Sequence, residues 1–82
     1  MPTEKPILKM IVPCYNEEDG LALFCKELKK VLLDLIKERL IHDQSFILFI
    51  NDGSNDHTWQ IINELANDSM VTGISLAHNR GH

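Results

Sequence analysis

The 82-residue chain is 44% hydrophobic, only 6% aromatic, and carries a formal net charge of −4. That apolar content excludes a disordered tail and fits a small soluble α/β unit, while the mild acidity excludes a binder of nucleic acid or anionic membrane, which needs a concentrated basic face. A chain of this length supports at most one domain, spanning 1–82, or part of one; it buries only about 60–65% of its unfolded surface, so its stability margin is thin.

Residues 7–12 form a short apolar run containing Lys9 and followed at once by Pro13. A proline cannot donate to a ladder, so the run reads as a strand that stops there. Residues 16–20 are polar and turn-like. From Leu21 onward apolar side chains recur at helical spacing (Leu21, Phe24, Leu28, Val31, Leu32, Leu35, Ile36) with charged residues opposite. This predicts an amphipathic helix of about five turns ending near Arg39. Asp19, ahead of the stripe, is expected to accept from first-turn N–H groups and to complement the dipole. Lys26, Lys29 and Lys30 cluster on this helix, but Glu27, Asp34 and Glu38 interleave with them, as on an ordinary solvated face.

Residues 46–50 are continuously apolar, the pattern of a parallel strand covered by helices on both faces. A polar loop over 51–58 contains Gly53. Trp59, Ile62, Leu65 and Ala66 then mark one face of a second, shorter helix, with Asp56 as its candidate cap. Residues 70–76 read as a third strand and 77–82 as a loop. The order strand, helix, strand, helix, strand implies an α/β fold with a parallel sheet and right-handed crossovers. In such sheets ligands bind beyond the carboxyl ends of the strands. Loops 13–19, 51–56 and 77–82, the most polar and least periodic stretches, meet at that edge.

Cys14 and Cys25 have no metal-ligand spacing and read as free, partly buried thiols in a reducing compartment. His78 and His82 are four apart, but on a loop with no third ligand, and read as loop histidines without a metal. No apolar run approaches the ~20 residues that span a bilayer, and residues 1–6 do not resemble a signal peptide.

Two segments carry the chemistry. The first is Val12-Pro13-Cys14-Tyr15-Asn16-Glu17-Glu18. A tyrosine just past a strand end can lay its ring against a base, and a carboxylate two residues on can accept from ribose or base donors; the same residues also fit a turn whose tyrosine packs on the sheet edge. The second is Ile50-Asn51-Asp52-Gly53-Ser54-Asn55-Asp56. A carboxylate at a buried strand's carboxyl end can accept from a base imino N–H and so supply base specificity, because an unmatched buried acceptor is costly. Gly53 permits a tight turn or close backbone approach. These residues also fit a plain strand-to-helix turn with Asx-type hydrogen bonds.

In this order and spacing, Pro-x-Tyr-Asn-Glu-Glu after the first strand and apolar-Asn-Asp-Gly-Ser-x-Asp-x-Thr after the second resemble family 2 glycosyltransferases, which have the Rossmann-like GT-A fold. The segment Ile74-Ser75-Leu76-Ala77-His78-Asn79-Arg80-Gly81-His82 is similar to the stretch that follows their third strand. The likeness covers nearly the whole chain and is nearest to the polyprenyl-phosphate subgroup, with its dolichol-phosphate mannose synthases and undecaprenyl-phosphate glucosyltransferases. It implies that Pro13, Tyr15 and Glu17 line a nucleotide pocket with Tyr15 beside the base, that Ile50 contacts the nucleoside, that Asp52 binds the base N–H, and that Arg80 faces the diphosphate. The family often has Asp where this chain has Asn51. The resemblance implies transfer of a sugar from a UDP- or GDP-sugar to a lipid phosphate, with magnesium or manganese as cofactor. The family's Asp-x-Asp metal motif and its general base have no counterpart in 1–82. The chain is therefore expected to be the nucleotide-binding amino-terminal half of a catalytic domain, inactive alone, without catalytic or metal-ligating residues of its own. In the whole protein it would be a cytoplasmic domain attached to a membrane-associated enzyme.

Competing readings fit less well. A Rossmann dinucleotide domain or a P-loop nucleotidase needs a glycine-rich turn after the first strand, and 13–17 contains no glycine. A phospho-acceptor module gives Tyr15 no role. A stand-alone, non-catalytic nucleotide-binding or interaction module stays open as the alternative. Unpaired edges of a three-stranded sheet are expected to drive self-association.

Overall fold

The computed structural model describes residues 4–76. They fold as β1 (Lys9–Cys14), α1 (Leu21–Lys37), β2 (Phe46–Asn51), α2 (Thr58–Leu65) and β3 (Val71–Ser75). The three strands are parallel and lie in the order β1-β2-β3, a partial Rossmann-like sheet with the predicted alternation of elements.

β1 does not stop at Pro13. The proline is paired with Ile50, and the strand runs on to Cys14. Carbonyls of Leu8 and Cys14 accept from Phe46 and Asp52 of the β2 side. By strand alternation the even-numbered residues of β1 therefore face β2, and Pro13 turns its backbone to the open edge. There a missing N–H costs no ladder bond.

The register sorts the sheet into two faces. One carries the rows Met10–Ile47–Val71, Val12–Phe49–Gly73 and Cys14–Asn51–Ser75, the other Ile11–Leu48–Thr72 and Pro13–Ile50–Ile74. Cys14, Ile47, Phe49, Asn51 and Val71 of the first face are buried, together with Leu21, Cys25 and Leu32 of α1 and Ile62 of α2. Ile11 and Ile74 of the second face are exposed. Coverage of β2 on both faces is thus corrected: among the described residues both helices pack on one face. The reason is handedness. Right-handed crossovers that step β1 to β2 to β3 in one direction put both connections on the same side. The continuous apolar run of β2 remains, with Leu48 and Ile50 half-buried on the uncovered side.

In α1 the stripe is centred on Cys25, Leu28, Leu32, Leu35 and Ile36, and Phe24 and Val31, seven residues apart on one flank, stay about half exposed. The expected Asp19 cap is not formed. The N-cap position is Gly20, without a side-chain cap hydrogen bond, and the Glu17 carbonyl instead accepts from Gly20 N and Leu21 N. The helix ends in a Schellman motif: Leu40 N donates to Leu35 O and Arg39 N to Ile36 O, with Arg39 at φ 63° in the position that glycine usually fills. In α2 the N-cap position is His57, without a side-chain cap hydrogen bond, and Asp56, one residue earlier, accepts from the first helical amide, Thr58 N, through Oδ1 at 2.9 Å. Trp59 and Ile62 of α2 sit over Gly73 of β3. An ion pair between Lys29 and Asp68 ties α1 to the chain leading into β3.

Candidate functional site

The carboxyl ends of the strands are flush. Cys14, Asn51 and Ser75 are register partners, Asp52 N donates to Cys14 O at 2.9 Å and Leu76 N to Asn51 O at 2.9 Å. Tyr15 and Asp52 each follow one of these paired residues, so residues 37 positions apart in sequence leave adjacent strands side by side. Tyr15 is 55% exposed, and Asp52 is exposed as well. Pro13 and Ile50, two further predicted site residues, are themselves register partners one step below them. Glu17 lies in the loop beyond, exposed, and its charge together with burial pushes up the Cys14 thiol, burial being the larger cause. All five predicted residues therefore lie on one edge of the sheet.

The two loops at this edge are stitched together. Three successive backbone N–H groups of the first loop donate to three side chains of the second: Asn16 N to Ser54 Oγ at 3.0 Å, Glu17 N to Thr58 Oγ1 at 2.8 Å, and Glu18 N to Asp56 Oδ2 at 3.2 Å. The second loop answers, with Asn55 N donating to Asn16 Oδ1 and His57 N to Glu18 Oε1, both at 2.8 Å. The His57 ring also meets Glu18 Oε1 through Nδ1 at 3.0 Å. Asn16 reaches this geometry at φ 52°, and Gly53 turns the second loop at φ 73°. Asparagine tolerates the left-handed region better than most residues, and glycine enters it freely.

Asp56 is the hub. One oxygen takes the Thr58 amide and the Thr58 hydroxyl, the other the Glu18 amide. Burial pushes its carboxyl up, but the hydrogen bonds from Thr58 and Glu18 outweigh burial and hold it below the usual carboxylate range. Thr58 is fully buried and passes the link on, its hydroxyl donating to Asp56 while accepting from Glu17 N.

Asn51 and Thr58 are buried polar residues that sequence reasoning did not place in the site. Asn51 Nδ2 donates to Ser75 Oγ at 3.0 Å and its Oδ1 accepts from Ser54 N at 3.3 Å, so one amide joins β3 to the second loop. The signal in the sequence was the cluster of short polar side chains over 51–58, which hydrogen-bond readily to nearby backbone. Nothing in one loop's sequence names its partner in the other.

Of two apolar cavities, one borders the site. One of about 420 Å³ touches Pro13 and Glu17 but is otherwise walled by Val12, Leu21 and Phe24 beside the open edge of β1. A larger one of about 540 Å³ lies between α1 and the start of β3, at Cys25, Lys29, Leu65 and Val71. The larger cavity is remote from the loops, and the chemistry-bearing residues point to the edge instead. Among the described residues, no three His, Cys, Asp or Glu side chains are grouped to hold a metal ion, and no helix is long and apolar enough to cross a membrane. Arg80, His78 and His82, with the whole loop 77–82, lie outside the described residues.

Comparison with known proteins adds an independent line. The profile of Glycosyl transferase family 2 matches residues 10–82. The chain is 45% identical over its full length to an uncharacterized glycosyltransferase, YkoT, of Bacillus subtilis (strain 168), covering 25% of that protein. It is 37% identical over 90% of its length to a prophage bactoprenol glucosyl transferase homolog of Escherichia coli (strain K12), covering 22% of it, and 40% identical over 92% of its length to a putative glycosyltransferase, CsbB, of Bacillus subtilis (strain 168), covering 21%. The chain thus spans about a quarter or less of the curated relatives it matches. No solved structure matches it significantly. A parallel strand-helix-strand-helix-strand unit, its motifs gathered at the carboxyl edge, and a family match over 10–82 converge: the chain belongs to glycosyl transferase family 2.

Proposed function

We propose that these residues form the nucleoside-binding part of an enzyme that moves a sugar from a UDP- or GDP-sugar to a polyprenyl phosphate. The single observation that carries this reading is the placement of Tyr15 and Asp52, each one residue past the register pair Cys14–Asn51 at the ends of adjacent strands, with Pro13 and Ile50 paired beneath them. Tyr15 supplies a ring for the base, Asp52 an acceptor for its N–H, Glu17 an acceptor for ribose, and Pro13 and Ile50 an apolar floor. Names of the relatives support the lipid-phosphate acceptor, since several are bactoprenol glucosyl transferases, and with a lipid acceptor goes the proposal of a membrane-associated enzyme whose nucleotide-binding part faces the cytoplasm.

The divalent metal that the family resemblance implies does not fit the described residues, which offer no ligand cluster, and residues 1–82 alone are proposed to bind nucleotide without transferring sugar. The outer edges of β1 and β3 pair with no strand among the described residues, which supports self-association through an edge. Sedimentation should show dimers or larger species at micromolar concentration, and a monomer throughout would remove that part of the proposal.

Affinity measured by calorimetry with UDP and GDP tests the reading. Asp52→Ala should weaken the preferred nucleotide at least about tenfold, the consequence of losing a hydrogen bond to a charged acceptor, while Asp43→Ala, on the connection before β2, leaves it unchanged. Equal affinities for wild type and Asp52→Ala would remove Asp52 from the site.

A further inference from the structure

We infer that Asp56 and Thr58 are positioning residues, which set the Tyr15 loop against the Asp52 loop so that the nucleoside cleft is built before a ligand arrives. The inference rests on the nucleotide reading above, because neither residue is assigned a contact with the ligand. It starts from the direction of the hydrogen bonds. Three consecutive amides, at Asn16, Glu17 and Glu18, all turn toward the second loop, and Tyr15 immediately precedes them. Whatever holds those amides holds the backbone that carries Tyr15 and Glu17. Two of the three end on the Asp56–Thr58 pair, and Thr58 is fully buried, so its hydroxyl is shielded from the competing water that weakens the exposed Asn16 contact.

The pair is also anchored on its own side. Asp56 holds the first amide of α2, Thr58 N, and α2 is packed on β3 through Ile62 and Trp59. The first loop is therefore referenced to α2, and through α2 to the sheet that carries Asp52. A loop lacking this tether would sample many settings, and binding would have to select one of them, which lowers apparent affinity by the populated fraction. Held in place, Tyr15 and Asp52 meet the base at fixed separation, the usual origin of affinity gained without added contacts.

Chemistry separates this role from a merely structural one. Thr58→Ser keeps the hydroxyl and its two hydrogen bonds. Thr58→Val keeps the shape and leaves Glu17 N–H without its acceptor. Asp56→Asn keeps an oxygen for the two Thr58 donors but turns an NH₂ group toward Glu18 N–H, removing the Glu18 link between the loops while leaving the Thr58 contacts. Hydrogen exchange of the 82-residue chain, followed by NMR with Trp59 fluorescence as the check of folding, gives the first readout. The Glu17 and Glu18 amides should be protected in wild type and in Thr58→Ser. In Thr58→Val, Glu17 should lose about tenfold in protection and in Asp56→Asn, Glu18 likewise, the size expected for one hydrogen bond, while the β2 amides stay unchanged. If either variant fails to fold, the other carries the test.

Titration with UDP and GDP gives the second. Thr58→Val and Asp56→Asn should weaken the nucleotide about tenfold, and Thr58→Ser should restore wild-type affinity. Wild-type affinity in folded Thr58→Val and Asp56→Asn, or wild-type Glu17 and Glu18 amides that exchange as fast as those of the variants, overturns the inference. A wild-type chain that has protected amides yet binds neither nucleotide overturns the nucleotide reading, and with it the cleft that the pair would position, and that outcome is recognisable because the exchange data stand by themselves.

Discussion

Gly73→Ala probes the seam between α2 and the sheet, on which the placement of the second loop depends. A Cβ at position 73 would lie 2.4 Å from Ile62 Cγ2, 3.5 Å from Trp59 Cζ3 and 3.8 Å from Ile62 Cβ. Carbon pairs rest about 3.5–4.0 Å apart, so the Ile62 contact must open by more than about 1 Å. Ile62 is fully buried, and its β-branched side chain has essentially one rotamer in a helix, so the strain passes to the backbone of α2. Overpacking of this kind costs about 1–3 kcal/mol, and the stiffer unfolded chain of the alanine variant returns about 0.4–1 kcal/mol. The net loss is at most about 2.6 kcal/mol, at about 4–8 °C in Tm per kcal/mol for a domain of this size. Urea unfolding followed by the fluorescence of Trp59, the single tryptophan, reads it out. Ile62→Leu removes Cγ2 at nearly constant volume and should cost less than about 1.5 kcal/mol, and in that background Gly73→Ala should cost at least about 0.5 kcal/mol less. A Gly73→Ala cost that is equal in both backgrounds would refute the close approach of α2 to β3.

Two further predictions concern α1. Arg39→Gly should stabilise the chain by about 0.5–1 kcal/mol, because it relieves a left-handed residue at the Schellman position and gives back part of that in unfolded-state entropy, and urea melts check it. Lys29 and Asp68 together set a pH window. The ion pair with Lys29, then the Met70 amide, lower the Asp68 carboxyl, while the same pair raises the Lys29 ammonium. Asp68 therefore contributes stability that is present above its unfolded value of about 3.9 and lost as pH falls through the lowered folded value, whereas the Lys29 contribution is present below about 10.4 and lost as pH rises through the raised one. Stability of wild type minus that of Asp68→Asn, measured by urea melts from acid to alkali, should be largest between those limits, vanish on the acid side and shrink on the alkaline side, where the Met70 amide still meets the carboxylate.

The fold was legible because periodicity is local. The alternation of elements, the helical stripe from Leu21, and the face of α2 at Trp59, Ile62 and Leu65 each follow from residues within one segment. What escaped was set by other segments. Pro13 stays in β1 because its backbone faces an open edge, a property of the sheet and not of the tripeptide. The run from Phe46 to Ile50 is apolar on both sides of β2, yet its second face meets no helix among the described residues, because crossover handedness decides which face is covered. Asp19 looked like a cap by position, but the Glu17 carbonyl and Gly20 already close that turn. In the site, Tyr15, Glu17 and Asp52 were recognisable as chemistry at strand ends. Asn51 and Thr58 read as ordinary loop polarity; the work of Asn51 appears only when β3 brings Ser75 beside it, and that of Thr58 only when a loop 41 positions away is brought into contact.

The most direct test of the central claim is an NMR chemical-shift map of the 82-residue chain titrated with UDP and GDP. The account predicts that saturable shifts gather at Tyr15, Glu17, Ile50 and Asp52, with a nuclear Overhauser contact between base protons and the Tyr15 ring. Shifts confined to the cavity at Cys25, Lys29 and Leu65, with the loop amides unmoved, would contradict it.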